Sequence, residues 1–128
     1  MSNVLKISIT GLLVIITVIT GIWIAETGEP YNTAVFTAHK LAALAALIFA
    51  AIIIIGFIRK TGASSVVYVF AIATGIFYLA AITSGGLLSI EKTLEDILEI
   101  THKISSIASI TGLAVVFYLL LTGKFIRK

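Results

Sequence analysis

The chain of 128 residues has no cysteine. That excludes disulfides, thiol redox chemistry, iron–sulfur clusters and haem attached covalently in the c-type manner. Charged residues are scarce at 12%, where a soluble domain carries about a quarter. The one proline, Pro30, falls in a break between apolar runs. Alternation of apolar and polar residues over strand-length segments is missing, which argues against a β-barrel. No nucleophile–base pair, phosphate-cradling glycine loop or zinc-protease motif occurs, so a hydrolase or transferase has no support. The only two histidines are His39 and His102.

What the chain does have is apolar surface: 59% hydrophobic residues and a mean hydropathy of +1.17. Four long runs, Ile7 to Ala25, Ala34 to Ile58, Val66 to Ile82 and Ile100 to Leu121, approach or exceed the ~20 residues that cross a ~30 Å hydrocarbon core. The first is longer than a signal-peptide core and no small-x-small cleavage site follows it, so it is read as helix one. The expectation is an all-α integral membrane protein, an antiparallel four-helix transmembrane bundle forming a single domain over 1–128. Its helices are placed at about 5–26, 33–58, 65–85 and 94–122. "ETGEPYN" ends the first helix, with Asn32 as the next N-cap. "RKTG" ends the second and "TSGGLLS" the third, and "TLED" (Thr93 to Asp96) opens the fourth in the manner of a capping box.

Charge is segregated along this pattern. One set of ends carries Lys6, Arg59, Lys60, Lys124, Arg127 and Lys128 and no acid. The other carries all six acids, Glu26, Glu29, Glu91, Glu95, Asp96 and Glu99, with Lys40, Lys92 and Lys103. By the positive-inside rule both termini are cytoplasmic in a multi-pass protein of the cell membrane. The basic pI near 9.3 is thus a topology signal and implies no nucleic-acid partner; the lipid bilayer is the surroundings.

The two histidines recur in like contexts, "TAHKLAALAA" and "ITHKISSIAS", 63 residues apart. "TGIW" (Thr20 to Trp23) is matched by "TGIF" (Thr74 to Phe77), and "GFIRK" by "GKFIRK". We read two helical hairpins in pseudo-twofold repeat about the membrane normal. His39 precedes Arg59 by twenty residues and His102 precedes Lys124 by twenty-two, so both lie roughly 30–33 Å from the inner boundary, toward the outer face.

An ionisable side chain within a membrane helix is costly and is a functional hypothesis by default. Two imidazoles at one depth on diagonal helices would face each other across the bundle, the geometry of two axial ligands on one haem. Small residues follow each: Ala42, Ala43, Ala46 and Ala50 after His39, and Ser105, Ser106, Ser109 and Gly112 after His102. With Gly21 on helix one and Gly85 and Gly86 on helix three, they leave room for a macrocycle, although small residues at this spacing also serve plain helix packing. Lys40 and Lys103 are candidate propionate partners, or snorkel to headgroups. Trp23, Tyr31 and Tyr78 read as interfacial belt aromatics.

These features resemble the small membrane cytochromes b, four-helix bundles that hold non-covalent haem between histidines of two helices. The resemblance implies one haem b ligated by His39 and His102, and electron transfer with quinone or a redox partner protein. The haem is expected once per chain, or once per homodimer if the site is shared. An electron carrier or redox-complex subunit is expected rather than a self-contained enzyme.

Two alternatives stay open. "EITH" sets Glu99 and His102 at the Glu-x-x-His spacing of di-iron bundles, but Phe36 stands at the matching place before His39. A mononuclear zinc, copper or iron site from His39, His102, Glu99 and Glu26 remains, as does a cofactor-free scaffold or small subunit.

Overall fold

The computed structural model describes residues 3–90 and 93–122. The described chain forms four α-helices in the order α1 (Asn3–Thr27), α2 (Thr33–Thr61), α3 (Ser65–Leu88) and α4 (Glu95–Thr122). All four are long and apolar enough to cross a membrane. Their outward residues fit that solvent: Ile72, Ile76 and Ile107 are each more than 60% exposed, on α3 and α4. Taking such a side chain out of water is worth about 1.5–3 kcal/mol, a gain the fold itself leaves unmade and a bilayer supplies.

Several hydroxyls on the helices are satisfied locally. Thr10, Thr17, Thr27 and Thr122 each donate their hydroxyl to the carbonyl four residues earlier, at 2.8–2.9 Å. In lipid, where no water can take the bond, this is what permits hydroxyl side chains on spanning helices.

The ends of α1 and α2 follow the expected signals, and the main departure is at the end of α3. Gly28 and Gly62 take the left-handed conformation, φ 62° and 69°, and their N–H groups bond the carbonyls of Ile24 and Ile58, closing α1 and α2. Asn32 Oδ1 accepts the N–H groups of Ala34 and Val35 at 3.0 and 3.2 Å and caps α2. α2 runs to Thr61, so Arg59 and Lys60 sit in its last turn, where positive charge meets the negative helix end. α4 begins at Glu95, one residue later than placed from sequence. The departure is α3. It does not stop at Gly85 but runs on through Gly86 to Leu88, with Ser89 closing it through its N–H and hydroxyl onto the Gly86 carbonyl at 3.3 and 2.5 Å. Glycine weakens a helix in water by about 1 kcal/mol, but it does not break the i to i−4 ladder, and here Gly85 has a packing role.

Contacts gather the chain into two compact units, Met1–Ile53 and Ile54–Lys128, divided within α2. In the first, Thr10, Ala42, Ala46, Ala50 and Ile53 are buried. In the second, Ala63, Val67, Val116, Leu119 and Leu120 form an apolar cluster supported by Ile54, Phe57 and Ile58 of α2. Further along the α3–α4 pair Thr74 meets Gly112, where an added Cβ would lie 2.3 Å from the Thr74 hydroxyl. Beyond that again, Gly85 meets His102.

Candidate functional site: two imidazole seats

In the first unit the His39 imidazole of α2 lies on α1. Its Nδ1 is 2.9 Å from the Thr17 carbonyl oxygen and 3.3 Å from the Thr20 hydroxyl. The ring fits because residue 21 is glycine: an added Cβ would lie 3.0 Å from His39 Cε1 and 3.4 Å from Nδ1. The Thr17 carbonyl is four residues before Gly21, so the imidazole shares the acceptor of the Gly21 helix bond.

In the second unit His102 of α4 lies on α3 in the same way. Its Nδ1 is 2.8 Å from the Ala81 carbonyl, four residues before Gly85. A Cβ on Gly85 would lie 2.7 Å from His102 Cε1 and 2.9 Å from Nδ1. Both rings are half-buried.

A carbonyl oxygen can only accept, so each Nδ1 carries a proton, and in a neutral ring Nε2 is then the nitrogen with the lone pair. This tautomer, fixed by a main-chain carbonyl, is the one in which a histidine ligates a metal through Nε2.

The hydroxyls beside the seats also correspond. Thr20 Oγ1 donates to the Ile16 carbonyl at 2.7 Å and approaches that of Thr17 at 3.2 Å. Ser84 Oγ donates to the Ala80 carbonyl at 2.7 Å and approaches that of Ala81 at 3.2 Å. The counterpart of Thr20-Gly21 is therefore Ser84-Gly85, which corrects the sequence match of "TGIW" with "TGIF". Thr74 packs on Gly112, and nothing lies within 4 Å of a Cβ added at Gly75, so "TGIF" occupies a different level of its helix.

Of the other candidates, Ala46, Ser105 and Ser109 are buried, and Ala43 and Ser106 are half-buried. Gly21 and Gly85 receive the imidazoles themselves, whereas nothing lies within 4 Å of a Cβ on Gly86. The Lys40 ammonium lies 4.1 Å above the Phe36 ring, which stacks on Tyr31 at 5.5 Å. Lys103 pairs with Glu99 one turn earlier on α4. Phe36–Lys40 and Glu99–Lys103 thus hold equivalent places relative to their histidines. Glu26 is exposed, and among the described residues no three histidine, cysteine or acidic side chains cluster as a metal-ion site. Tyr78 is not a belt aromatic: it is 7% exposed, on the buried face of α3 with Thr74 and Ala81. Sequence reasoning missed Thr17, Thr20, Ala81 and Ser84. The available signal was a hydroxyl residue directly before each seating glycine.

No protein-family model, curated protein or solved structure matches the chain. The fold and the two seats define a class by themselves: a multi-pass membrane protein of four spanning helices that holds two imidazoles in like settings.

Proposed function

We propose that the chain is a membrane haem b electron-transfer protein in which Nε2 of His39 and Nε2 of His102 are the two axial ligands of one haem near the outer face. The observation that carries this reading is the recurrence of the seat: in each unit a glycine admits the ring and a main-chain carbonyl holds Nδ1–H, the arrangement in which a neutral histidine ligates through Nε2. Two neutral nitrogen donors and no thiolate or thioether suit a non-covalent b-type haem, which supplies one-electron transfer when bound. The chain's own residues orient the imidazoles and set their donor strength, and its apolar helices exclude water from the site.

In this reading α1–α2 and α3–α4 are two antiparallel hairpins of one bundle, related by a pseudo-twofold axis, with both termini cytoplasmic and quinone or a redox protein as partner. The correspondence of buried positions supports the repeat. Ala42, Ala46, Ala50 and Ile53 of α2 are followed 63 residues later by Ser105, Ser109, Leu113 and Val116 of α4, all buried. Thr10, Gly21 and Thr20 of α1 are followed 64 residues later by Thr74, Gly85 and Ser84 of α3.

A second reading is favoured by the same bonds: the imidazoles act only as cross-links between helices of a cofactor-free scaffold. A dithionite-reduced minus oxidised absorption spectrum of the detergent-purified protein, with metal analysis, separates the two. A b-type spectrum with one iron per chain, or per homodimer, supports the haem reading. Zinc or copper without haem would support a mononuclear metal site, and protein that takes up neither haem nor metal would support the scaffold.

A further inference from the structure

Each carbonyl that holds an imidazole is also approached by a hydroxyl. The Thr17 carbonyl has His39 Nδ1 at 2.9 Å and Thr20 Oγ1 at 3.2 Å, and the Ala81 carbonyl has His102 Nδ1 at 2.8 Å and Ser84 Oγ at 3.2 Å. Serine and threonine on membrane helices commonly bond back to their own helix, and both hydroxyls do so at 2.7 Å. Thr122 makes the same pair of approaches, at 2.9 and 3.4 Å, so the second approach is itself ordinary; what is particular to the seats is that in both units it falls on the one carbonyl that the imidazole uses. A carbonyl oxygen has two lone pairs and already accepts the helix N–H of Gly21 or Gly85, so a further donor weakens each of the others.

We propose that Thr20 and Ser84 are positioning residues for the two histidines: their hydroxyls compete for the anchoring carbonyl and thereby set how strongly Nδ1–H is held. A strongly held Nδ1–H gives the ring more imidazolate character and makes Nε2 the better donor; a hydroxyl on the same carbonyl moderates this. In unit one Thr20 Oγ1 also stands 3.3 Å from Nδ1 itself, so it acts on the ring as well as on its acceptor. The hydrogen-bond part of the inference stands on the seats alone. Its redox consequence rests on the haem reading.

The test uses the full chain in lipid nanodiscs, without and with added haem. Removing either hydroxyl, by Thr20→Val or Ser84→Ala, leaves the imidazole the stronger bond. In the haem-free protein the Nδ1 nitrogen resonance of His39 should move in Thr20→Val while that of His102 stays, and the reverse should hold for Ser84→Ala. Thr20→Ser and Ser84→Thr, which keep a hydroxyl, should restore the wild-type resonances. With haem bound, a more electron-rich ligand favours ferric iron. The reduced-to-oxidised ratio at a fixed ambient potential should then fall roughly two- to tenfold in Ser84→Ala, the range of one net hydrogen bond, and by less in Thr20→Val, which also removes an oxygen that faces Nδ1–H. Resonances unmoved in both variants overturn the proposal, as do resonances that move equally at both histidines. Shifts at the expected histidine in a chain that takes up no haem uphold the positioning role and overturn the haem reading instead. Thr20→Ala serves if the valine variant is not monodisperse and helical.

Discussion

His102 rests on Gly85 so closely that a single added carbon would lie 2.7 Å from its Cε1 and 2.9 Å from its Nδ1. The equivalent contact of His39 on Gly21 is looser, at 3.0 and 3.4 Å. In both places the glycine is the reason a ring can reach a main-chain carbonyl of the neighbouring helix, and the carbonyl is the reason the ring has one tautomer.

Replacing Gly85 by alanine should therefore expel the imidazole and break its bond to Ala81, at a cost of about 1–3 kcal/mol for the overpacking. Gly21→Ala should cost less, because a shift of a few tenths of an ångström relieves it. Gly86→Ala is the control: nothing lies within 4 Å of the added carbon, and alanine is favoured over glycine in a helix by about 1 kcal/mol, so it should be neutral or stabilising. Thermal unfolding in detergent should rank the three in that order, and a Gly86→Ala as damaging as Gly85→Ala would overturn the seat.

Much of this fold was legible in the residues, because a bilayer leaves a spanning segment few options. With every backbone group bonded internally, an apolar run of spanning length has to be a helix. Asn32 announced its cap, and Gly28 and Gly62 their helix ends, by local chemistry that tertiary context does not alter. The seats were less legible. Gly85-Gly86 looks like a stop signal, because glycine's cost in a helix is visible in sequence while the ring that needs its missing side chain comes from another helix. Thr-Gly occurs seven times in the chain, so identity alone matched "TGIW" to "TGIF"; only the level at which each glycine meets its neighbour separates them. Tyr78 was misread for a related reason, since an aromatic near a helix end suits both the interface and a buried face.

The close approach of α3 and α4 at Thr74 and Gly112 offers a test independent of any cofactor. Gly112→Ala places a carbon 2.3 Å from Thr74 Oγ1 and 3.2 Å from its Cβ, and should destabilise by about 1–3 kcal/mol. Thr74→Ala removes the obstructing hydroxyl and should recover much of that loss in the double variant. A double-mutant cycle in chemical or thermal unfolding measures the coupling, and strictly additive effects would show that the two positions do not touch.

Topology is checked by reporters. Fusions at either terminus or in the loop after Arg59 should report the cytoplasm, and insertions near Glu29 should report the outside, because in the sequence the acids and the acid-free basic clusters fall at opposite ends of the apolar runs. A C-terminus found outside would reverse the orientation and place the imidazoles toward the cytoplasm.

The lysine–carboxylate pair on α4 discriminates between ligands. Lys103 and Glu99 are well exposed, and such an i,i+4 pair contributes about 0.3–0.5 kcal/mol, so Glu99→Ala should hardly change stability. With haem it should also leave the low-spin spectrum in place. If the chain instead held a mononuclear ion through Glu99 and His102, the same substitution should strip much of the ion, which atomic absorption on the purified variant would read directly.

The histidines themselves give the sharpest outcome. If Nε2 of His39 and of His102 bond the two faces of one haem iron, each bond is irreplaceable by water at equal ligand strength. His39→Ala and His102→Ala should each abolish the six-coordinate low-spin spectrum, leaving high-spin, weakly held haem or none. Methionine at either place should restore some ligation and raise the potential, because a thioether stabilises the reduced iron. Each alanine variant also loses the bond to its carbonyl, worth about 0.5–1.5 kcal/mol, so a modest loss of stability accompanies the spectral change and does not by itself explain it. His→Asn at each site separates the two effects, since its amide can still donate to the carbonyl but is no haem ligand of comparable strength. Low-spin haem retained in both alanine variants would refute bis-histidine ligation and leave the paired seats as cross-links between helices.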